Sequence, residues 1–220
     1  MLNNKSNLAN YQAATDRWHK KAMEFESYLR DLGDQFAYIN VVGPFGAGKT
    51  EFISALSEIP VHAQSVHIFY AQSSHPHYKD HPLPHLMGLD FGRITAEDNV
   101  HLFLFGVPGT TSLASFAFHE DDLDGKCLGT VFVVDHSRPE TFREARRLLN
   151  RHFRAYEPSR RYVIAANKQD DPDAWDMDVF ELALRKTSDE VFIPCSAFDK
   201  ESVKNVILTL LYRARDSFED

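Results

Sequence analysis

A chain of 220 residues, 43% hydrophobic and 25% charged, has the length and composition of one ordinary domain with a sizeable core. Its formal net charge of -8 excludes a protein built to hold nucleic acid or anionic membrane nonspecifically, since both tasks need a basic surface. The absence of a charge-free apolar stretch of about 18 residues, a signal-peptide pattern or a terminal lipidation motif predicts a cytoplasmic protein without membrane insertion. The first predicted element is helical, Tyr11 to Arg30, with apolar residues at Trp18, Met23, Phe25 and Leu29. Residues 1–34 are read as a helical extension that packs on the domain surface, with a partner-binding arm as the alternative. Apolar runs then predict six strands at Phe36–Val42, Gly88–Thr95, Val100–Phe105, Gly129–Asp135, Tyr162–Asn167 and Val191–Pro194. Helical patterns fall at Thr50–Ser57, Pro139–His152, Asp178–Lys186 and Lys200–Asp216. The last is apolar at Val203, Val206, Ile207, Leu210 and Leu211, the spacing of one helix face. Alternating strands and helices imply an α/β fold, a mainly parallel sheet covered on both faces.

Between the first strand and the helix after it, Gly43-Pro44-Phe45-Gly46-Ala47-Gly48-Lys49-Thr50 fits G-x-x-x-x-G-K-[ST] at every fixed position. Glycines in such a loop let backbone N–H groups converge on phosphate oxygens, and the helix N-terminus beneath carries partial positive charge. Lys49 would reach the β- and γ-phosphates, and the Thr50 hydroxyl would ligand Mg²⁺. Gly43, Phe45, Gly46, Ala47, Gly48, Lys49, Thr50 and Glu51 are therefore the phosphate-binding candidates.

A second motif, Asn167-Lys168-Gln169-Asp170, follows a predicted strand and sits where ligands bind in open α/β sheets. An ionised carboxylate is acceptor-only and takes two N–H donors from one planar partner. Guanine offers that edge and adenine does not, so Asp170 is the predicted base reader. Asn167 is expected to bond the purine and support the phosphate loop, and the Lys168 stem to lie over the ring. Ser196, Ala197 and Phe198, after the last strand, would complete the pocket with backbone N–H groups aimed at the guanine 6-oxo group.

Several separated strings carry a resemblance. Gly43-Pro-Phe-Gly-Ala-Gly-Lys-Thr50, Ser57-Glu-Ile-Pro60, Leu89-Asp-Phe-Gly-Arg-Ile94, Leu104-Phe-Gly-Val-Pro-Gly109 and Gly129-Thr-Val-Phe-Val-Val-Asp135 resemble a bacterial Ras-like small GTPase. The similarity is closest to the conservon-type ATP/GTP-binding proteins of actinobacteria, related to the polarity-switch GTPase of gliding bacteria. It implies a three-layer P-loop NTPase fold over residues 35–220, with six strands, one of them antiparallel, and an expanded switch I at about 60–87. It also implies a GTP/GDP cycle with Mg²⁺, a γ-phosphate contact from Gly109, and partners of the roadblock and sensor-kinase-like types.

Three departures bear on hydrolysis. Leu86 stands where relatives carry a threonine that closes on Mg²⁺; Gly106 replaces the aspartate of Asp-x-x-Gly; and Thr110 replaces the glutamine that orients attacking water. No catalytic residue is assigned, because a threonine hydroxyl is too short to span the distance of a glutamine amide. The expected behaviour is tight GTP and GDP binding with slow or partner-dependent hydrolysis. The alternative is a hydrolysis-deficient scaffold within a roadblock-type complex.

The remaining polar residues have plainer readings. His62, His67, His75, His77, His81 and His85, six of eleven histidines, fall with Pro76, Pro82 and Pro84 in the expanded loop. Their spacing fits no tetrahedral metal pattern, and they read as loop histidines. Asp90 and Asp135 read as strand-edge or strand-end residues rather than replacements for the missing carboxylate, and Arg93 as a solvated strand residue rather than a cis arginine. Glu120 to Asp124 reads as a solvated acidic face. Cys127 and Cys195 lack metal-ligand spacing and read as reduced thiols.

Overall fold

The computed structural model describes residues 35–61, 63–65, 88–96, 100–106, 126–154 and 161–216. The N-terminal extension, Leu86, Gly109, Thr110, the acidic run 120–124 and nearly all of the expanded loop, its six histidines included, lie outside them.

Seven strands form one sheet: β1 (Phe36–Val42), β2 (Ala63–Ser65), β3 (Gly88–Thr95), β4 (His101–Gly106), β5 (Cys127–Asp135), β6 (Tyr162–Asn167) and β7 (Phe192–Pro194). Their order is β2-β3-β4-β1-β5-β6-β7; β3 alone runs against its neighbours, and the other pairings are parallel. All six predicted strands are present, with ends shifted by up to two residues. The seventh, β2, is a three-residue edge strand of Ala, Gln and Ser that no apolar run announces.

Among the described residues four α-helices accompany the sheet: α1 (Lys49–Leu56), α2 (Phe142–Leu149), α3 (Met177–Leu184) and α4 (Lys200–Asp216). They divide between its faces. On one, Tyr38, Val42, Phe132 and Ile164 pack with Phe142 and Leu149 of α2 and Phe180 and Leu184 of α3. On the other, Ile39, Val41, Val131 and Val163 pack with Phe52 and Ile53 of α1 and Val203, Val206, Ile207 and Leu210 of α4. Alternate residues of one parallel strand thus enter two cores, which is why these strands read as continuous apolar runs. Each large side chain so buried contributes roughly 1.5–3 kcal/mol. Among the described residues no helix is long and apolar enough to cross a membrane.

The predicted helix Pro139–His152 is in fact three pieces: a 3₁₀ turn at Pro139–Thr141, α2, and a π-helical turn at Asn150–Arg154. That last turn delivers Arg154 to the buried Glu190 carboxylate, at 2.8 and 2.6 Å, and to the carbonyls of Leu184 and Arg185 at the end of α3. A wide turn at a helix end commonly answers such a specific local demand. Cys127 and Cys195 are both free; burial pushes the Cys195 thiol up to about 11, so it stays protonated near neutrality.

Candidate nucleotide site

Because β1, β4, β5, β6 and β7 are all parallel, their C-terminal ends share one edge of the sheet. That edge carries the predicted phosphate loop after Val42, Gly106 at the end of β4, Asp135 at the end of β5, and Asn167 at the end of β6. β3 is antiparallel, so its beginning lies there too, with Asp90 opposite Gly106.

The phosphate loop is shaped by glycines at two points. Gly43 has φ +150°, and a Cβ there would stand 2.0 Å from the Val133 carbonyl oxygen, so the loop can leave β1 only against β5. Gly48 caps α1 with φ +89°, and its Cβ would meet Asn167 Nδ2 at 2.4 Å. This contact is the hinge of the site. Asn167, 1% exposed, donates from Nδ2 to the Ala47 carbonyl at 2.9 Å and accepts the Ala197 N–H on Oδ1 at 2.9 Å. One buried amide therefore fixes the phosphate loop, the Asn-Lys-Gln-Asp turn and the Ser196–Phe198 turn together. Phe45 projects from the loop, exposed, and the Arg138 guanidinium lies beside Gly46.

Lys49 lies over the loop and donates to the carbonyls of Gly43 at 3.1 Å and Pro44 at 2.8 Å. Burial pulls its ammonium down to about 8, against the opposing charges of Asp90, Glu144 and Glu51. Thr50 follows in the first turn of α1, where backbone N–H groups lack intrahelical acceptors. Its hydroxyl donates to Asp90 Oδ2. Glu51 is exposed on the same turn.

At the base end, Asp170 accepts the Ser196 hydroxyl at 2.5 Å through Oδ1. The Ser196 N–H goes to Ser202 Oγ at 2.9 Å, and the Phe198 N–H to Ser196 Oγ at 3.3 Å. With the Ala197 N–H held by Asn167, all three amides expected to face a 6-oxo group are bonded within the protein. The Phe198 ring stands free at 81% exposure. Lys168, in the left-handed region at φ 71°, sends its ammonium to Asp135 Oδ2 at 2.6 Å.

Asp135 ends β5, as read from sequence, and Asp90 lies within β3 opposite Gly106. Asp135 also accepts the Ser137 N–H and hydroxyl, at 3.0 and 2.8 Å, and lies 3.7 Å from Arg138 Nε. Burial alone would raise its pKa, but the bonds from Lys168 and Ser137 outweigh it and hold the carboxyl below its ordinary value. A signal was available, since the apolar run of β5 ends on this carboxylate in register with Asn167. Gln169, the variable position of the motif, is occupied with His136: its amide nitrogen lies 2.9 Å from the ring Nδ1, and burial lowers that imidazole's pKa against Asp135 and Asp176. Among the described residues no group of three or more His, Cys, Asp or Glu side chains is placed to hold a metal. Comparison with protein-family models and with curated proteins gives no match to this chain.

Proposed function

We propose that the chain is a guanine-nucleotide-binding molecular switch with the Ras-like P-loop fold, binding GTP and GDP and hydrolysing GTP slowly or only with a partner. The observation that carries this reading is Asn167, which bonds the phosphate loop at Ala47 and the base-side turn at Ala197 with one side chain. Two motifs far apart in sequence are thereby held side by side, as the two ends of one ligand site would need to be. The loop N–H groups, the α1 N-terminus and Lys49 would take the phosphates. Asp170, steadied by Ser196, would accept from guanine N1–H and the 2-amino group. The Phe198 ring is exposed, two residues after Ser196.

Mg²⁺ fits the phosphate end because the Thr50 hydroxyl and the Asp90 carboxylate offer adjacent oxygen donors suited to a hard cation. When bound, the ion would offset the negative charge of the phosphates. Hydrolysis lacks a water-orienting glutamine, since Thr110 follows Gly109 in the sequence. A Ras-type enzyme with its glutamine turns over unaided on the order of 10⁻⁴ s⁻¹, and one with an arginine in cis at about 10⁻² s⁻¹.

The test is a single-turnover experiment. Protein loaded with GTP and Mg²⁺ is freed of excess nucleotide, and bound GTP and GDP are followed by chromatography, with ATP and the Lys49→Ala variant as controls. The expected result is retained guanine nucleotide, no retained adenine nucleotide, lost retention in the variant, and turnover below about 10⁻² s⁻¹. Failure to retain GTP or GDP would end the nucleotide reading; faster turnover would end the slow-hydrolysis part alone.

A further inference from the structure

The missing carboxylate of the switch region has a spatial replacement across the β3–β4 ladder. Gly106 occupies the position where the Ras-like pattern places an aspartate, and Asp90 is its direct antiparallel partner. Directly opposed residues in a ladder project from the same face of the sheet. Here that face is the α1 face: a Cβ built on Gly106 would stand 2.7 Å from Ile53 Cδ1 and 2.9 Å from Asp90 Cβ. Side chains at 90 and 106 therefore compete for one space, and the glycine leaves it to Asp90.

The carboxylate uses that space to reach Thr50. Its Oδ2 accepts the Thr50 hydroxyl, the one side-chain oxygen of the phosphate loop suited to a metal. Its charge is also the leading influence that opposes the lowering of the Lys49 pKa. Asp90 thus stands between the two loop residues that would meet the metal and the phosphates.

Resting on the guanine-nucleotide reading above, we propose that Asp90 is the metal-site carboxylate of this chain, transferred from β4 to β3, and that it couples Mg²⁺ to nucleotide retention. An ionised carboxylate can hold the cation directly or hold one of its waters, and in the neutral amide either contact keeps one carbonyl oxygen but loses the negative charge that strengthens it. The sequence signal is the pair itself, a glycine where the carboxylate is missing and an aspartate opposite it, visible only once the register of β3 and β4 is known.

The test measures GDP dissociation from the intact chain with Mg²⁺ and with a chelator. In the unaltered protein Mg²⁺ is expected to slow release, and in Asp90→Asn that slowing is expected to shrink roughly ten- to hundredfold, the scale of one charged hydrogen bond. The Mg²⁺-dependent part of release is expected to change more than release with chelator, whereas a general packing role for Asp90 would change both alike. The double variant Asp90→Gly with Gly106→Asp returns the carboxylate to β4 and is expected to recover the Mg²⁺ effect. An Asp90→Asn protein that keeps the full Mg²⁺ effect overturns the proposal. If Asp90→Asn fails to fold, the double variant decides, since a folded swap without any Mg²⁺ effect also overturns it. A protein that never retains GDP fails the underlying nucleotide reading instead, which separates the two.

Discussion

The two ends of the proposed nucleotide site, one for the base and one for the phosphates, are built on opposite plans. At the base end the side chains hold one another: Asn167 spans Ala47 and Ala197, Ser196 bonds Asp170, and Lys168 bonds Asp135. At the phosphate end the two principal side chains are turned onto the protein's own oxygens, Lys49 onto the carbonyls of Gly43 and Pro44 and Thr50 onto Asp90. Guanine would meet a surface whose geometry is already fixed. Phosphate and metal would meet groups that must exchange one partner for another. Under the proposed function, selectivity for the base would belong to the scaffold, while affinity through the phosphates would depend on protonation and on cations.

The strongest way to break this contrast is to remove its fixed element. Asn167→Ala leaves the Ala47 carbonyl and the Ala197 N–H buried without their partner, at about 1–3 kcal/mol each. The expected loss is about 2–5 kcal/mol of folding stability, read as a lower denaturant midpoint, together with loss of nucleotide binding. A stability change under about 1 kcal/mol would mean that the two ends are held together by something else.

A narrower change sharpens the base end alone. Asp170→Asn removes the acceptor-only group but keeps its size, so guanine nucleotides are expected to bind roughly ten- to hundredfold more weakly and xanthine nucleotides relatively better. Folding stability should move little, because Asp170 is exposed and its one described bond is to Ser196. Competition between GDP and XDP, measured on both proteins, checks it; unchanged GDP affinity removes Asp170 as the base reader.

How far each end could be read from sequence follows the same division. The places of Gly43–Thr50 and Asn167–Asp170 at strand ends were legible because both lie where apolar runs end, and the structure joins them through Asn167. The six long strands were legible for the same reason, as runs buried on both faces. The Ala63–Ser65 strand was not, because its pairing with β3 rests on backbone bonds and not on its side-chain pattern. The Asp90–Gly106 register and the reach of Lys168 to the end of β5 were not legible, because both are set across the sheet. Even the matched Lys168 does something the motif does not announce. Its stem was expected over the base, while its ammonium is directed at a carboxylate beneath.

The subtlest difference between the ends is protonic. Burial brings Lys49 down to about 8 from its ordinary 10.5, whereas phosphate oxygens beside it would favour the ammonium. Below pH 8 the lysine is charged before and after binding, and pH changes nothing through this group. Between about pH 8 and 10.5 the free folded protein has given up the proton, so binding must take one up, and affinity for GDP is expected to fall by up to tenfold per pH unit. Folding moves in the other direction. In that window the unfolded chain holds more protons at Lys49 than the folded one, so this group's contribution to stability rises with pH. Calorimetric GDP titrations in two buffers of different ionisation enthalpy measure the uptake directly: near zero at about pH 7, and approaching one proton at about pH 9. Lys49→Arg, charged throughout this range, should show no rise. An equal uptake at both values would place Lys49 among ordinary exposed lysines and remove the protonic distinction between the two ends.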